Sequence, residues 1–269
     1  MPRYSTRYWS QRDPSLPQAS LPKIAVILLN YKNFGWKIPS YVNAQSQQGS
    51  RELFCHLWSS AHVTICADGG ANCLYDEATK VEAESIFLPK YIKGDLDSLR
   101  PAVRAFYEQR GSEIIQDLDQ DSNDLDKCLN LLWDKQEEIS SGMFSVVIFG
   151  GMGGRFDQEM QNINCLFRYQ SKFQEICLVS ESTTARLLVA GSHEIEPNLE
   201  YETGVCGIIP LGGPCRKLTT EGLQWDVTDR YSGFGEMVST SNLIKEKRVL
   251  IQNSDPVIWT TELHGTEYS

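Results

Sequence analysis

The most constraining feature of this sequence is an alternation of short apolar runs with helix-like segments, which repeats five times within residues 24–169. Apolar runs of this length are typical of strands that are buried on both faces. The predicted strands are Ile24–Leu29, Val63–Ala67, Tyr91–Ile92, Glu113–Ile115 and Val146–Phe149. The predicted helices are Arg51–Trp58, Ala71–Tyr75, Leu99–Gln109, Ser122–Lys135 and Phe156–Tyr169. This order favours a mainly parallel sheet with helices on both faces, so we predict a Rossmann-like α/β domain over residues 23–175.

Two local features refine this prediction. Residues 31–50 are polar and are interrupted by Gly35 and Pro39, which predicts a loop after the first strand. Ser98 is the predicted N-cap of the third helix, because Pro101 would then fall in the first helical turn, where proline is tolerated.

The pattern changes from Ile176 onward, where helical periodicity disappears. Short runs of β-forming residues alternate there with Gly, Pro and Asn turns. These runs are Ile176–Val179, Arg186–Val189, Val205–Ile209, Val249–Ile251 and Val257–Thr260. We therefore predict a second, all-β domain over residues 176–269, most simply a sandwich.

The N-terminal residues 1–22 are predicted to be a flexible tail. They lack the apolar segment of a secretory signal, and Pro14 and Pro17 disfavour the amphipathic helix of a mitochondrial presequence. The eight cysteines form no Cys-x-x-Cys pair, which is typical of a reduced intracellular protein. We expect a cytoplasmic location.

The charge of the chain excludes several classes of partner. Asp and Glu total 35 against 25 Lys and Arg, so the net charge is −10. A nucleic-acid-binding protein normally presents a basic face, and an anionic membrane surface would be repelled. The apolar runs are also far shorter than the ~20 residues that span a bilayer. We therefore expect neither a nucleic acid nor a membrane as partner.

Four predicted strands end in unusual polar sequences. They are Asp68-Gly69-Gly70-Ala71-Asn72, Gly94-Asp95-Leu96-Asp97-Ser98, Asp117-Leu118-Asp119-Gln120-Asp121-Ser122-Asn123-Asp124 and Gly150-Gly151-Met152-Gly153-Gly154-Arg155-Phe156-Asp157-Gln158. In an open parallel sheet, ligands bind outside the carboxyl ends of the strands. If the sheet prediction holds, these four segments meet at one edge.

The chemistry of these segments points to a nucleotide complexed with a metal ion. Five carboxylates, Asp68, Asp95, Asp97, Asp121 and Asp124, would converge, and several close carboxylates need a cation or a shared proton. Hard oxygen ligands suit Mg²⁺, which recruits polyphosphates. The Gly-rich turn exposes backbone N–H groups at a helix start, and the neighbouring arginine adds a fixed cation for phosphate.

Each segment also has a simpler interpretation. Asp68-Gly69-Gly70 is compatible with a plain turn, and Asp95 and Asp97 with solvated loop residues. Asp121 and Asp124 favour a helix N-terminus without binding anything, and Arg155 could be a surface ion pair. The Gly cluster is not a P-loop, because no Gly-Lys-Ser/Thr follows it. The functional interpretation depends on all four segments lying at strand ends.

Taken together, these segments resemble the thiamine pyrophosphokinase family. The C-terminal sequences Gly222-Leu223-Gln224-Trp225 and Val238-Ser239-Thr240-Ser241-Asn242 look like motifs of that family's second domain. The resemblance covers residues 24–262, with the motifs in the family's order, and the Arg155-Phe156-Asp157-Gln158 form looks eukaryotic. It implies an α/β domain followed by a β-sandwich in a homodimer with the active site at the subunit interface. The reaction would convert ATP and thiamine to thiamine diphosphate and AMP.

The resemblance also implies roles for particular residues. The implied catalytic set is Asp95, Asp97, Gln120, Asp121 and Asp124, of which Asp95, Asp97 and Asp124 would hold Mg²⁺ and the triphosphate. The implied ATP-binding set is Asp68, Gly69, Asn72, Arg155 and Asp157. The implied thiamine-binding set is Trp225, Ser239 and Asn242, with the indole stacked on the thiamine pyrimidine. Without the resemblance, a tryptophan in the core of the sandwich is the simpler interpretation of Trp225.

Two positions depart from the family pattern. Leu96 stands where Phe is common, and Asn123 stands where Thr is common, which puts any hydroxyl contact there in doubt. Two other functions also fit the residues: a Mg-nucleotide enzyme with another hydroxylated substrate, or a non-catalytic nucleotide-binding module.

Overall fold

The computed structural model describes residues 3–5, 22–31, 50–139 and 142–264. The chain forms two compact units. Among the described residues, the α/β unit contains 22–31, 54–139 and 142–181, and the β unit contains 3–5, 50–53 and 182–264. Apart from Tyr31 and Ser50, the loop predicted at 31–50 lies outside the described residues.

In chain order the elements are β1 (Arg3–Ser5), β2 (Lys23–Leu28), α1 (Ser50–Ser60), β3 (Val63–Ala67), α2 (Gly70–Thr79), β4 (Tyr91–Gly94), α3 (Pro101–Glu108), β5 (Glu113–Gln116), α4 (Asp124–Ile139), β6 (Phe144–Phe149), α5 (Phe156–Tyr169), β7 (Glu175–Val179), β8 (Thr183–Leu188), β9 (Gly191–Glu196), β10 (Glu202–Ile209), β11 (Cys215–Glu221), β12 (Arg230–Ser232), β13 (Ser239–Leu243), β14 (Val249–Asn253) and β15 (Val257–Leu263). Every predicted strand and helix of the first domain is present, with ends that differ by a few residues.

The α/β unit is built on six parallel strands in the order β7-β6-β2-β3-β4-β5. The central strands β3 and β6 are buried along their whole length, which explains why they read as unbroken apolar runs. The chain runs outward from β2 through β3, β4 and β5, and then returns to add β6 on the other side of β2. That reversal leaves a crevice beyond the carboxyl ends of β2 and β6, where ligands of open α/β sheets bind.

The domain boundary differs from the prediction. Residues 176–179, assigned from sequence to the second domain, lie in β7 and pair in parallel with β6, with Val146 opposite Ile176 and Phe149 opposite Val179. The unit therefore ends at residue 181 rather than 175. A short apolar strand looks the same in a parallel sheet and in a sandwich, so only its pairing partner decides.

The N-cap prediction for α3 is also wrong. The helix begins at Pro101 and its N-cap is Arg100, without a side-chain cap. Instead, the N–H of Ser98 donates a hydrogen bond to the carboxylate of Asp68, and its hydroxyl donates one to the carboxylate of Asp97. Ser98 is a capping residue by type, but the helix begins two residues later than predicted, and the serine bonds these neighbouring carboxylates.

The β unit contains two sheets. One has the order β1-β9-β14-β11-β12, and the other runs β13-β10-β15-β8. Apart from β1, which is parallel to β9, neighbouring strands in both sheets are antiparallel. The core consists of Leu188, Ile195, Cys206, Ile208, Cys215, Leu218, Leu223, Val249, Ile251, Val257 and Trp259. The predicted all-β second domain is confirmed, since residues 182–264 contain no helix.

Three further points bear on the sequence predictions. Arg3–Ser5, placed in a flexible tail, form β1, because the edge of β9 offers them unpaired backbone groups; residues 6–21 of that tail lie outside the described residues. None of the eight cysteines, all of which lie in the described part of the chain, is in a disulfide. Within the described part of the chain, no helix is long and apolar enough to cross a membrane.

Candidate active site

The first component of the site is Asp68, which follows β3 directly. Its backbone adopts a φ of +41°, and its N–H donates to the Lys93 carbonyl of β4 at 3.0 Å. The side chain is 2% exposed, and Oδ2 accepts a hydrogen bond from the Ser98 N–H at 3.3 Å. Oδ1 is buried and has no hydrogen-bond partner among the described residues. Burial raises the pKa of Asp68, because a charged carboxylate loses water there.

Close approach of the backbone brings β4 against this carboxylate. A Cβ added at Gly94 would lie 2.7 Å from Cβ of Asp68 and 3.2 Å from Oδ1 of Asp124. Only glycine fits in that space, so this glycine sets the spacing between the ends of β3 and β4 and the start of α4. The same geometry places Asp124 beside Asp68.

The turn after β4 supplies two more carboxylates. Leu96 has a φ of +67°, which turns Asp95 and Asp97 toward the end of β3. The N–H of Asp97 donates to Oδ1 of Asp95 at 3.2 Å, and the hydroxyl of Ser98 donates to Oδ1 of Asp97 at 2.9 Å. Single carboxylate oxygens of Asp68, Asp95 and Asp97 all lie within 4.8 Å of one another. We call these three residues the carboxylate triad.

The triad differs in membership from the metal set implied by the resemblance. Asp68, implied on the nucleotide side, joins Asp95 and Asp97, whereas Asp124 lies outside the group of three. Asp124 still belongs to the same electrostatic environment. Burial, followed by the charge of Asp68, raises the pKa of Asp124 to about 6, and Lys127 opposes the rise.

Lys127 is a residue of this site that the sequence analysis missed. It lies one turn into α4 with its side chain 3% exposed, and its Nζ is 3.9 Å from Oδ1 of Asp124. A buried ammonium beside several carboxylates is the kind of group that also meets phosphate. The spacing Asp124-x-x-Lys127 at a predicted helix start was the available signal, because residues three apart share a helix face.

The segment between β5 and α4 is held by its own side chains. Asp117 forms an ion pair with Lys93 at 2.8 Å, and Asp119 accepts hydrogen bonds from the N–H of Asp121 and the hydroxyl of Ser122. The Gln120 amide donates to the Leu118 carbonyl at 3.3 Å.

Asn123 caps α4 through Oδ1, which accepts from the N–H of Asp126 at 2.8 Å. A threonine hydroxyl at this position has the same capping ability, so the departure from the family pattern keeps the helix start intact.

The Gly-rich turn after β6 forms the opposite wall. A Cβ at Gly154 would lie 2.7 Å from the ring of Tyr31, so the turn packs directly on that ring. The N–H of Gly153 donates to the Glu159 carboxylate at 2.9 Å, which shows that this turn already accommodates an anion. Arg155 makes two hydrogen bonds to Asp157, and their side chains are 73% and 64% exposed.

These walls enclose a cavity of about 500 Å³. Its lining includes the predicted residues Asp95, Gln120, Asp124 and Arg155, together with Lys127, Gly150, Gly153 and Glu159. Asp68, Asp97, Asp121 and Asp157 are not among its lining residues. A neighbouring cavity of about 720 Å³ shares Asn30 and Tyr31 with the first and is lined by the predicted residues Gly69 and Asn72.

Asn72 has a structural task in this region. Its amide donates to the Ser98 carbonyl at 2.7 Å, and its Oδ1 accepts from the Arg100 N–H at 3.1 Å. The side chain therefore ties α2 to the segment that follows the triad.

In the β unit, the predicted thiamine residues gather around one turn. The Trp225 side chain is 57% exposed, which excludes the interpretation of a core tryptophan; Trp259, 1% exposed, has that role. Asn242 is 4% exposed, and its side-chain amide forms hydrogen bonds with both backbone polar groups of Trp225. Its Oδ1 accepts from the Trp225 N–H at 3.2 Å, and its Nδ2 donates to the Trp225 carbonyl at 3.0 Å. Ser239 lies next to this amide, 3.5 Å from Nδ2.

Comparisons with known proteins agree with this division of the chain. Residues 54–178 match the family model described as thiamin pyrophosphokinase, catalytic domain, and residues 192–258 match the model described as its vitamin B1 binding domain. Thiamine pyrophosphokinase 1 of Arabidopsis thaliana is 37% identical over 222 residues, covering 79% of this chain and 82% of that protein. The rice protein of the same name is 35% identical over 217 residues, covering 78% and 82%.

A solved structure supports the same conclusion. The crystal structure of yeast thiamin pyrophosphokinase superposes with a TM-score of 0.79 at 25% identity, covering 97% of this chain and 91% of that chain. The fold and the order of the two units are therefore shared along nearly the whole length.

Proposed function

Since this chain belongs to the thiamine pyrophosphokinase family, we propose that it transfers the pyrophosphoryl group of ATP to the hydroxyl of thiamine, which yields thiamine diphosphate and AMP. The observation that carries the proposal is that Asp95, a member of the carboxylate triad, lines one crevice of the α/β unit together with Asp124, Lys127 and the Gly-rich turn. Carboxylates for a metal ion beside backbone and side-chain cations for phosphate are the parts that phosphoryl-type transfer requires.

We propose that the carboxylate triad, with Asp124 beside it, holds Mg²⁺. The residues fit the ion in two respects. Oδ1 of Asp68 is a buried oxygen without a hydrogen-bond partner among the described residues, and the donors are all hard carboxylate oxygens. The pKa values of Asp68 and Asp124 are raised, so their charged forms need a compensating cation. When bound, Mg²⁺ offsets negative charge on the phosphates.

The chain's own residues then position the triphosphate. Lys127 supplies a buried positive charge beside Asp124, and the Gly150–Gly154 turn supplies backbone N–H groups. Glu159 holds the Gly153 N–H, so a phosphate oxygen would take its place. Arg155 retains N–H groups beyond those given to Asp157. Gln120, which lines the same cavity, completes the proposed phosphate wall, with Asp121 in the same loop.

The remaining step is removal of the proton from the thiamine hydroxyl as it attacks the β-phosphorus. A carboxylate within hydrogen-bond reach of that hydroxyl serves as the base. Asp124 and Asp97 are the two candidates for this base. Attack at the β-phosphorus releases AMP, whereas attack at the γ-phosphorus would release ADP.

We propose that thiamine binds at Trp225 in the β unit. Thiamine is a cation with aromatic rings, and an exposed indole stabilises such a ligand by about 0.5–2 kcal/mol. Asn242 contributes by holding the Trp225 backbone, and Ser239 lies beside that amide. This assigns Trp225 the contact and Asn242 the support.

We further propose a homodimer whose active sites combine the carboxylates of one protomer with the Trp225 turn of the other. Co-expression of Asp95→Asn and Trp225→Ala subunits tests this arrangement. Random pairing places one intact site in half of the dimers, so activity should recover to about a quarter of the wild-type value when it is measured at a thiamine concentration well below KM, where Trp225→Ala alone turns over slowly. Asp95→Asn paired with Asp124→Asn is the control and should stay inactive. Failure of the first pair to recover would place each complete site within one protomer.

The reaction itself is tested with purified protein, Mg-ATP and thiamine, with AMP and thiamine diphosphate measured together. Equal amounts of the two products are expected. ADP with thiamine monophosphate would show attack at the γ-phosphorus. Binding of Mg-ATP without either product would instead indicate a different hydroxylated substrate or a binding module.

A further inference from the structure

The turn that presents Trp225 is closed by a neighbouring side chain that the predicted site does not include. The carboxylate of Asp226 accepts three hydrogen bonds from the residues at the start of the turn. Oδ1 accepts from the Thr220 hydroxyl at 2.8 Å and from the Leu223 N–H at 3.2 Å, and Oδ2 accepts from the Gly222 N–H at 3.1 Å. One side chain thus ties the end of β11 to the residue immediately after the tryptophan.

The same turn is fixed in the core and along its outer side. Leu223 is 6% exposed and belongs to the core of the β unit, and Val227 packs against that core. Val227 is also tied back to Thr220, by its N–H to the hydroxyl and by its carbonyl to the N–H. Between these two anchors the indole of Trp225 stays 57% exposed.

A large aromatic side chain left in water needs a reason, because burial would stabilise it by about 1.5–3 kcal/mol. β13 fixes the backbone of the same turn, through the Asn242 amide on Trp225 and through the Leu243 carbonyl, which accepts from the Gln224 N–H at 2.8 Å. The direction of the side chain is set by how the turn 220–227 closes. That closure depends on Asp226, whose charged oxygens make stronger hydrogen bonds than neutral acceptors do.

We propose that Asp226 is a positioning residue for thiamine: its carboxylate closes the turn 220–227 and so holds the Trp225 indole ready to receive the substrate's aromatic ring. The inference rests on the proposed thiamine-binding role of Trp225. Asp226 itself makes no contact with the substrate in this proposal. Holding a rigid aromatic platform in place before binding lowers the cost of ordering it with the ligand.

The test measures KM for thiamine, KM for Mg-ATP and kcat in a double-mutant cycle. Asp226→Ala should raise KM for thiamine about tenfold, with kcat and KM for Mg-ATP within about twofold of wild type. In a Trp225→Ala background, Asp226→Ala should raise KM for thiamine by less than about twofold, because its effect acts through the indole. Asp226→Asn keeps the oxygen that faces Thr220 and Leu223, so it should restore KM to within about threefold of wild type.

Glu221→Ala is the matched control, because it removes an exposed carboxylate at the end of the same strand. It should leave all three constants unchanged. If Asp226→Ala fails to fold, Thr220→Val removes one donor to the carboxylate, together with the acceptor of the Val227 N–H, and should raise KM for thiamine about threefold, again only when Trp225 is present.

Failure of the proposed Trp225 role and failure of the proposed Asp226 role give different results. An unchanged KM for thiamine in Trp225→Ala would refute the proposed role of the indole. A raised KM in Trp225→Ala, combined with equal effects of Asp226→Ala in both backgrounds or a loss confined to kcat, would refute the positioning role of Asp226 alone.

Discussion

The carboxylate triad and the Trp225 turn are both built from loops at strand ends, yet they are stabilised in opposite ways. In the triad, like charges lie within 4.8 Å of one another, and Oδ1 of Asp68 is left without a hydrogen-bond partner among the described residues. In the Trp225 turn, the polar side chains are matched, with three donors converging on Asp226 and two backbone groups on Asn242.

This difference shows what each region is prepared to bind. The triad holds uncompensated negative charge, which a divalent cation relieves. The charge that would bind the metal ion therefore destabilises the fold when the ion is absent. The polar side chains that fix the turn already have hydrogen-bond partners. The bonds that stabilise the turn are therefore the ones that preform its aromatic surface. Replacing an aspartate by asparagine therefore has opposite consequences in the two regions.

The largest expected effect is on turnover at the triad. Asp95→Asn should lower kcat by about hundredfold, because removing one metal-binding charge weakens stabilisation of the phosphates. The measurement is AMP release at saturating ATP over a range of Mg²⁺ concentrations. Asp134→Asn, which removes a carboxylate from the exposed side of α4, is the control and should turn over normally. Normal turnover by Asp95→Asn would contradict the metal role of the triad.

The next largest effect is expected at Lys127, the buried cation beside Asp124. Lys127→Met should lower kcat/KM for Mg-ATP by about thirtyfold, because the phosphates lose a desolvated positive charge. KM for thiamine should change little, since that ligand is assigned to the other unit. Lys135→Met serves as the control, because this lysine lies on the same helix, is partly exposed and pairs with Glu138. An equal loss in both variants would assign the effect to helix α4 rather than to the site.

The smallest effect tests the comparison by its sign. With divalent cations removed by EDTA, Asp68→Asn should raise the free energy of unfolding by about 1 kcal/mol, because it deletes a buried charge that its neighbours repel. Burial raises the folded-state pKa of Asp68, so its charged form destabilises the fold at neutral pH; this penalty starts to fall as the pH drops through the folded-state pKa and is gone below the unfolded-state value of 3.8. Asp226→Asn should instead lower the free energy of unfolding. Urea titration of both variants measures these changes. If the free energy of unfolding changed in the same direction in both, the contrast between the two regions would be refuted.

Much of the fold was predictable because its signals are local. The apolar runs of β2, β3 and β6 identified buried parallel strands, and α5 was predicted with its observed ends, Phe156–Tyr169. The missed elements have a common cause. In the second domain, β9, β11, β12 and β13 carry many polar residues, because in a sandwich only one side of a strand faces the core.

The candidate site was predictable in outline for the same reason. Polar segments at the ends of parallel strands have to meet, so Asp68, Asp95 and the Gly-rich turn were found from sequence alone. Lys127 escaped because a lysine on a helix is normally exposed, and its burial depends on how α4 packs. The resemblance implies a thiamine-binding role for Asn242, but its hydrogen bonds to the Trp225 backbone could not be predicted, because they form only when β13 lies beside the turn.

The sequence by itself determined the order of strands and helices, the acidic edge of the sheet and the exposed character of its loops, because these follow from periodicity and from residue chemistry. Tertiary structure decided the partners. It assigned β7 to the parallel sheet, drew Asp68 into the triad through the positive φ of its turn and the close approach of Gly94, and left Trp225 in water while Trp259 filled the core. Such choices depend on distances between segments far apart in the chain, and those distances are fixed only when the whole core packs.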